Sequence, residues 1–100
     1  MKKSVLSPCA LCDADDARRW YENCEPGLGS EFVRALEECL SRIEADPELH
    51  RVVLAPYRKV LMRRFPFQII YEVREDCLWI LAVYHAKRDS AQLRKRMTGP

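Results

Sequence analysis

The chain has 100 residues, 48% of them apolar and 32% charged, with a formal net charge of +2. That length fits one domain, spanning residues 1–100, that buries about two-thirds of its unfolded surface. It builds one modest core and leaves little room for a deep enclosed pocket, so any chemistry sits on an open face or groove. No apolar run approaches the ~18 residues of a membrane span. The two early lysines, Lys2 and Lys3, suggest a signal peptide, but the apolar stretch after them is short and broken by Ser7 and Pro8, which reads as no secretion signal.

The modest net charge hides an uneven division. Residues 1–50 hold 6 Lys/Arg against 11 Asp/Glu, giving −5, while residues 51–100 hold 11 against 4, giving +7. Such asymmetry points to an anionic partner for the second half, or to basic strands lying against acidic helices of the same fold. Five cysteines, Cys9, Cys12, Cys24, Cys39 and Cys77, are an odd number in a chain with no secretion signal, so free thiols are expected. "CALC" is a lone Cys-x-x-C, and neither His50 nor His85 pairs with another ligand at a helical spacing. No metal site, phosphate loop or cofactor motif is expected.

In chain order, Val5 and Leu6 predict a short first strand ended near Pro8. Asp13 reads as a helix N-cap, with Asp15 and Asp16 in the first turn. Ala14, Ala17, Tyr21 and Cys24 then recur on one helical face, with Trp20 beside it. "EPGLGS" breaks this helix and Ser30 is expected to cap the next, whose buried stripe is Phe32, Leu36, Cys39 or Leu40, and Ile43. Asp46-Pro47 ends it. After His50 the period changes to 2. "VVLAP" and "YRKVLMRR" read as strands, with Pro56 at an edge or a break. In "FPFQIIYEV", Phe67, Ile69, Tyr71 and Val73 share one face, opposite Gln68, Glu72, Arg74 and Ile70. "CLWILAVYH" is apolar on both faces and predicts a central strand. Trp20, Phe65, Phe67 and Trp79 are expected in the core. Asp89 or Ser90 starts a short C-terminal helix carrying Arg94, Lys95 and Arg96. The sum is an α+β fold: an N-terminal helical hairpin on one face of a small twisted antiparallel sheet, with a short C-terminal helix.

Alternation along the strand sends Arg58 and Arg64 to one face and Lys59 and Arg63 to the other, so one pair points away from the helices. His85 and Arg88 arrive at the end of the central strand. Cations with one histidine on an open sheet suit a phosphodiester, the cations holding the phosphate and His85 serving as general acid or base. Tyr57, Tyr71 or Tyr84 could stack on a base. Against this stands a structural reading: His85 hydrogen-bonded at a strand end, Arg58 and Arg64 paired with Glu37, Glu38 or Glu44, and Arg94 to Arg96 on a solvated helix.

The segments "DADDARRWYENCEPGLGSEF", "RFPFQIIYEV" and "LAVYHAKRDSAQLRKR", in this order, resemble the RelE/ParE toxin superfamily of bacterial type II toxin–antitoxin modules. The resemblance runs from about Val5 to Arg96. It implies two helices on a twisted antiparallel sheet, a growth-inhibiting cytoplasmic protein associated with plasmid stabilisation, no cofactor or metal, and an antitoxin partner whose extended segment wraps the toxin. The function expected first is that of the RelE branch, for which the resemblance implies metal-independent mRNA cleavage on the ribosome, with the ParE branch as the alternative. His85 or Tyr84 would then move protons, Arg63 or Arg64 and Arg88 would hold the phosphate, and the RNA 2′-OH would attack. Arg58, Lys59, Lys87 and Arg94 would bind the RNA. For the ParE branch it implies DNA gyrase inhibition without catalysis, with weight on the C-terminal helix around Leu93 and Arg96. An orphan toxin held only by its antitoxin is a third reading. The chain departs from the family pattern at Ser90 and Leu93, where a proline and an aromatic are common, and in having only Lys59 on the lysine-bearing strand.

Overall fold

A computed structural model describes residues 1–99. The chain opens with β1 (Ser4–Leu6), enters α1 (Pro8–Cys24) and α2 (Leu28–Ala45), then runs through β2 (Arg51–Leu54), β3 (Tyr57–Leu61), β4 (Phe67–Val73) and β5 (Leu78–His85) before α3 (Ser90–Thr98).

The first helix begins five residues before the expected Asp13 cap. Ser7 is the N-cap, its hydroxyl accepting from the Ala10 N–H at 3.1 Å, and Pro8 follows at the first helical position. Proline there has no amide to leave unpaired and already carries a helical φ. Ser7 is itself buried, and its N–H donates to the Ile80 carbonyl at 2.9 Å. One residue thus ends β1, starts α1 and fastens both to β5. Asp13 lies inside the helix.

The turn between the helices is also built differently from the expectation. Gly27, at φ 90°, is the residue before α2, and Ser30 sits within the helix. The Glu22 carboxylate reaches back from α1 to accept from the Gly27 and Gly29 N–H groups at 3.0 Å each, supplying the caps that no local side chain provides. Gly29 is where the helices touch: a Cβ there would stand 2.7 Å from the Arg18 carbonyl oxygen. The stripe Phe32, Leu36, Cys39 and Ile43 is buried as its spacing predicts.

The sheet order is β1-β5-β4-β3-β2. β1 runs parallel to β5 and the other pairs are antiparallel, so the sheet is mixed, not wholly antiparallel as expected. The physical reason is the crossover: between β1 and β5 the chain passes over one face as the helical hairpin, which permits a parallel return. β5 is paired on both sides and covered on both faces, as its unbroken apolar run implies. Leu81 is an extra residue in its ladder with β4, between the pairs Ile70–Ala82 and Tyr71–Ile80.

The main core lies between hairpin and sheet. Phe32, Leu36, Cys39 and Ile43 meet Val60, Phe65, Phe67, Ile69, Tyr71, Leu78, Ile80 and Val83. The opposite face is not left open. There α3 lays Leu93 on Ile70, Ala82 and Tyr84, with Tyr57 and Met97 against them. Asp89 caps α3, accepting from the Ala91 N–H at 2.9 Å.

Trp20 is not core. It is 63% exposed, resting edge-on against Tyr21 with ring centroids 5.2 Å apart. α1 buries its alanines, Ala10 and Ala17, and turns Trp20 one step off that face. Trp79 is half-buried beneath the Arg74 guanidinium, 4.4 Å from its ring centroid.

Candidate functional site

The end of the sheet where β3 finishes, β4 starts and β5 stops carries most of the residues singled out by the sequence. His85 is paired in register with Phe67, and their rings meet edge to face at 5.1 Å. This puts His85 on the hairpin side, in a groove of about 280 Å³ lined by Ala17, Trp20, Tyr21 and Phe67. A second groove, about 180 Å³, continues past His85 to Asp13, Asp16 and Arg88. His85 Nδ1 accepts from the Lys87 N–H at 3.0 Å, so the neutral ring carries its proton on Nε2. Arg88 donates to Gln92 Oε1 at 3.1 Å and lies over the Tyr84 ring at 4.7 Å.

Tyr84 faces the other way, as alternation requires. It is fully buried under α3, its hydroxyl donating to the Asp89 carbonyl at 3.1 Å. Lys87 and Arg94 are exposed.

Arg63 and Arg64 are not on a strand. β3 ends at Leu61, and Met62 closes back on β4 by donating its N–H to the Phe67 carbonyl at 2.8 Å. Arg64 takes φ 72°, the left-handed region that residues with a side chain seldom enter. This turn swings both arginines toward α2. Arg64 pairs with Glu31 at 2.7 Å and Arg63 approaches Glu38 at 3.4 Å. The Arg64 hydrogen bond and charge hold the Glu31 carboxyl below the usual glutamate range. With Arg34, Ala35 and Glu38 the two arginines line a separate groove of about 320 Å³. His85 and Arg88 do not reach it.

Arg58 and Lys59 complete the set at the far end of β3. Arg58 points toward the hairpin side and donates to the carbonyls of Glu48 and His50, at 3.0 and 2.7 Å, fixing the turn after α2. Lys59, paired with Ile70, takes the α3 side. The structure thus brings His85 and Arg88 together. It sets Arg63 and Arg64 in another groove, Tyr84 under α3, and Arg58 and Lys59 on opposite faces. Among the described residues no group of three or more His, Cys, Asp or Glu side chains could hold a metal ion, and no helix is long and apolar enough to cross a membrane.

Two participants carry no sequence signal. Arg34 joins Arg63 and Arg64 only because the turn before Phe65 folds back on α2. Asp13 binds Arg96 across the fold, 83 residues away.

This architecture is matched among known proteins. A structure described as the chromosomal ParDE toxin–antitoxin system from P. aeruginosa is similar to the chain with a TM-score of 0.64 at 14% identity, covering 87% of this chain and 98% of that one. At that identity the likeness speaks for the fold. No curated protein matches the sequence. The model of the family described as ParE toxin of type II toxin–antitoxin system, parDE, matches residues 5–90. The protein is thus a type II toxin in class. Within that class, the chain belongs to the ParE toxin family.

Proposed function

We propose that this toxin arrests growth by binding DNA gyrase in the cytoplasm, through protein–protein contact and without an active site of its own, and that its antitoxin silences it by covering the same molecule. One observation carries this reading: the groups that an RNA-cleaving site would need at a single phosphate are held apart from one another. Arg58 holds backbone carbonyls, Arg63 and Arg64 face glutamates of α2, and Tyr84 is sealed under α3. His85 and Arg88 are left as a pair, with Asp13 and Asp16 in the same groove.

The test has two arms. Purified toxin is added to a gyrase supercoiling assay, and thymidine and methionine incorporation are followed in the first minutes after inducing the toxin alone. The expected result is loss of supercoiling and an early fall in DNA synthesis while protein synthesis continues. Intact supercoiling with an immediate stop in methionine incorporation would sink the proposal and return His85 and Arg88 to ribosome-dependent RNA cleavage.

A further inference from the structure

Arg64 presents a contradiction. It occupies a backbone conformation at φ 72° that glycine enters freely and arginine does not. The Arg64 side chain is 61% exposed, and its partner Glu31 is 38% exposed. An ion pair that open is worth little to stability. Its guanidinium also rests 5.6 Å from the Phe65 ring centroid. Strained backbone conformations cluster at ligand clamps and switch regions.

The neighbours of Arg64 fit that role. Arg63 stands beside it at 70% side-chain exposure, and its contact with Glu38 is long, at 3.4 Å. Glu38 is already held at 2.7 Å by Arg42, so Arg63 has only a share of it. Arg34 enters from the next turn of α2. The three arginines line one open groove of about 320 Å³. A guanidinium presents a planar fork of donors matched to a carboxylate. Here three such forks line a cleft with Glu38 in its wall and Glu31 held by Arg64 at its edge.

We propose that the Arg34–Arg63–Arg64 cleft is the docking surface for an acidic segment of the toxin's protein target. This rests on the reading above, in which the target is gyrase. An acidic protein segment fits better than a nucleic acid. Glu31 and Glu38 already hold Arg64 and Arg63 through carboxylates, the group a protein partner would bring. Carboxylates spaced along a protein can each exchange with Glu31 or Glu38 at one guanidinium. The turn that strains Arg64 also aims it, so little side-chain freedom is lost on binding.

The test uses Arg64→Gly and the double variant Arg34→Gln/Arg63→Gln of the full chain. Four quantities are read: thermal midpoint, the toxin concentration that halves gyrase supercoiling, its dependence on salt, and capture by the antitoxin. Glycine relieves the strain, so Arg64→Gly should melt at or above the wild-type temperature. It should nevertheless need about tenfold more protein to inhibit gyrase, the size of one charge-assisted hydrogen-bonded contact. The double variant should lose at least as much and show a flatter salt dependence. Wild-type inhibition by a folded Arg64→Gly overturns the proposal and leaves the gyrase reading standing. A wild-type toxin without effect on gyrase overturns both. Variants that inhibit gyrase normally but escape the antitoxin assign the cleft to the antitoxin, and overturn the proposal as well.

Discussion

Arg96 of α3 reaches across the end of the sheet to Asp13 of α1, with both guanidinium contacts made, at 2.6 and 3.0 Å. The pair is largely sealed, the side chains being 23% and 8% exposed. Asp13 also accepts from the Val83 N–H at 3.1 Å. One carboxylate therefore ties α1, β5 and α3 together, and holds the Arg96 guanidinium above its usual proton affinity through that hydrogen bond. Asp13→Ala leaves both a cation and a backbone amide without a partner in a poorly solvated place. It should destabilise the fold by about 3 kcal/mol in a urea melt. The double variant Asp13→Ala/Arg96→Ala should recover part of that loss. Strict additivity of the two single changes would show the pair to be uncoupled.

Tyr84 separates structure from chemistry in one atom. Tyr84→Phe removes only the hydroxyl that donates to the Asp89 carbonyl and keeps the ring packed against Leu93. The expected cost is about 1 kcal/mol, with growth arrest on induction unchanged. A folded Tyr84→Phe that no longer arrests growth would make the hydroxyl part of a reaction.

Thiol reactivity should sort the five cysteines by position. Cys9, Cys12 and Cys24 are exposed on α1, Cys77 is half-buried, and Cys39 is buried in the core. Burial pushes the Cys39 thiol up to about 11, so at mildly alkaline pH it is both protonated and enclosed. Burial also raises Cys77, to a lesser degree. A native titration with a disulfide reagent should show the α1 cysteines reacting fast, Cys77 slowly, and Cys39 only after denaturant is added. Fast native labelling of Cys39 would mean that α2 is not packed as described.

Acid should loosen the molecule in a defined window. Glu31 and Asp15 both titrate below their ordinary ranges, chiefly because Arg64 and Arg18 donate hydrogen bonds to them. A carboxylate depressed in the folded state adds stability above its unfolded value, and that stability is lost as pH falls through the folded one. The melting temperature should therefore hold from neutrality down to the ordinary carboxylate range and fall below it. Both groups are exposed, so the slope should be shallow and flatten in salt. Glu31→Gln should flatten it further. An identical acid profile for Glu31→Gln would remove Glu31 from the account.

Much of this was legible in the sequence, for reasons that particular residues make plain. The α2 stripe repeats with the helical period and is buried because only that face meets the sheet. Phe67, Ile69, Tyr71 and Val73 alternate and fall on the hairpin side together. Caps were harder. Ser7-Pro8 is as good a helix start as Asp13, and choosing between them needs the amide that Ser7 donates to Ile80, a contact made by a strand more than 70 residues away. The Gly27 turn is capped by Glu22, a residue with no local pattern to mark it. Trp20 was read by its size, whereas α1 approaches its neighbours closely enough to prefer alanine at the buried face. The site suffered most. Arg63 and Arg64 lie in a run that alternates like a strand, but β3 stops at Leu61 and the turn carries them to α2. Spacing along one element gives direction only while the element lasts.

The placement of β5 has a consequence for synthesis. This strand is the last to be made, yet it joins both sides of the sheet, taking β1 on one edge and β4 on the other, with Ser4 opposite Leu78. A nascent chain that has not yet released β5 holds two helices whose apolar stripe has only β3 and β4 to cover it, and a β1 with no strand to pair with. Premature termination therefore yields fragments without the strand that joins β1 to β4. The cell that makes this protein meets the poison only when nearly all of the chain has left the ribosome.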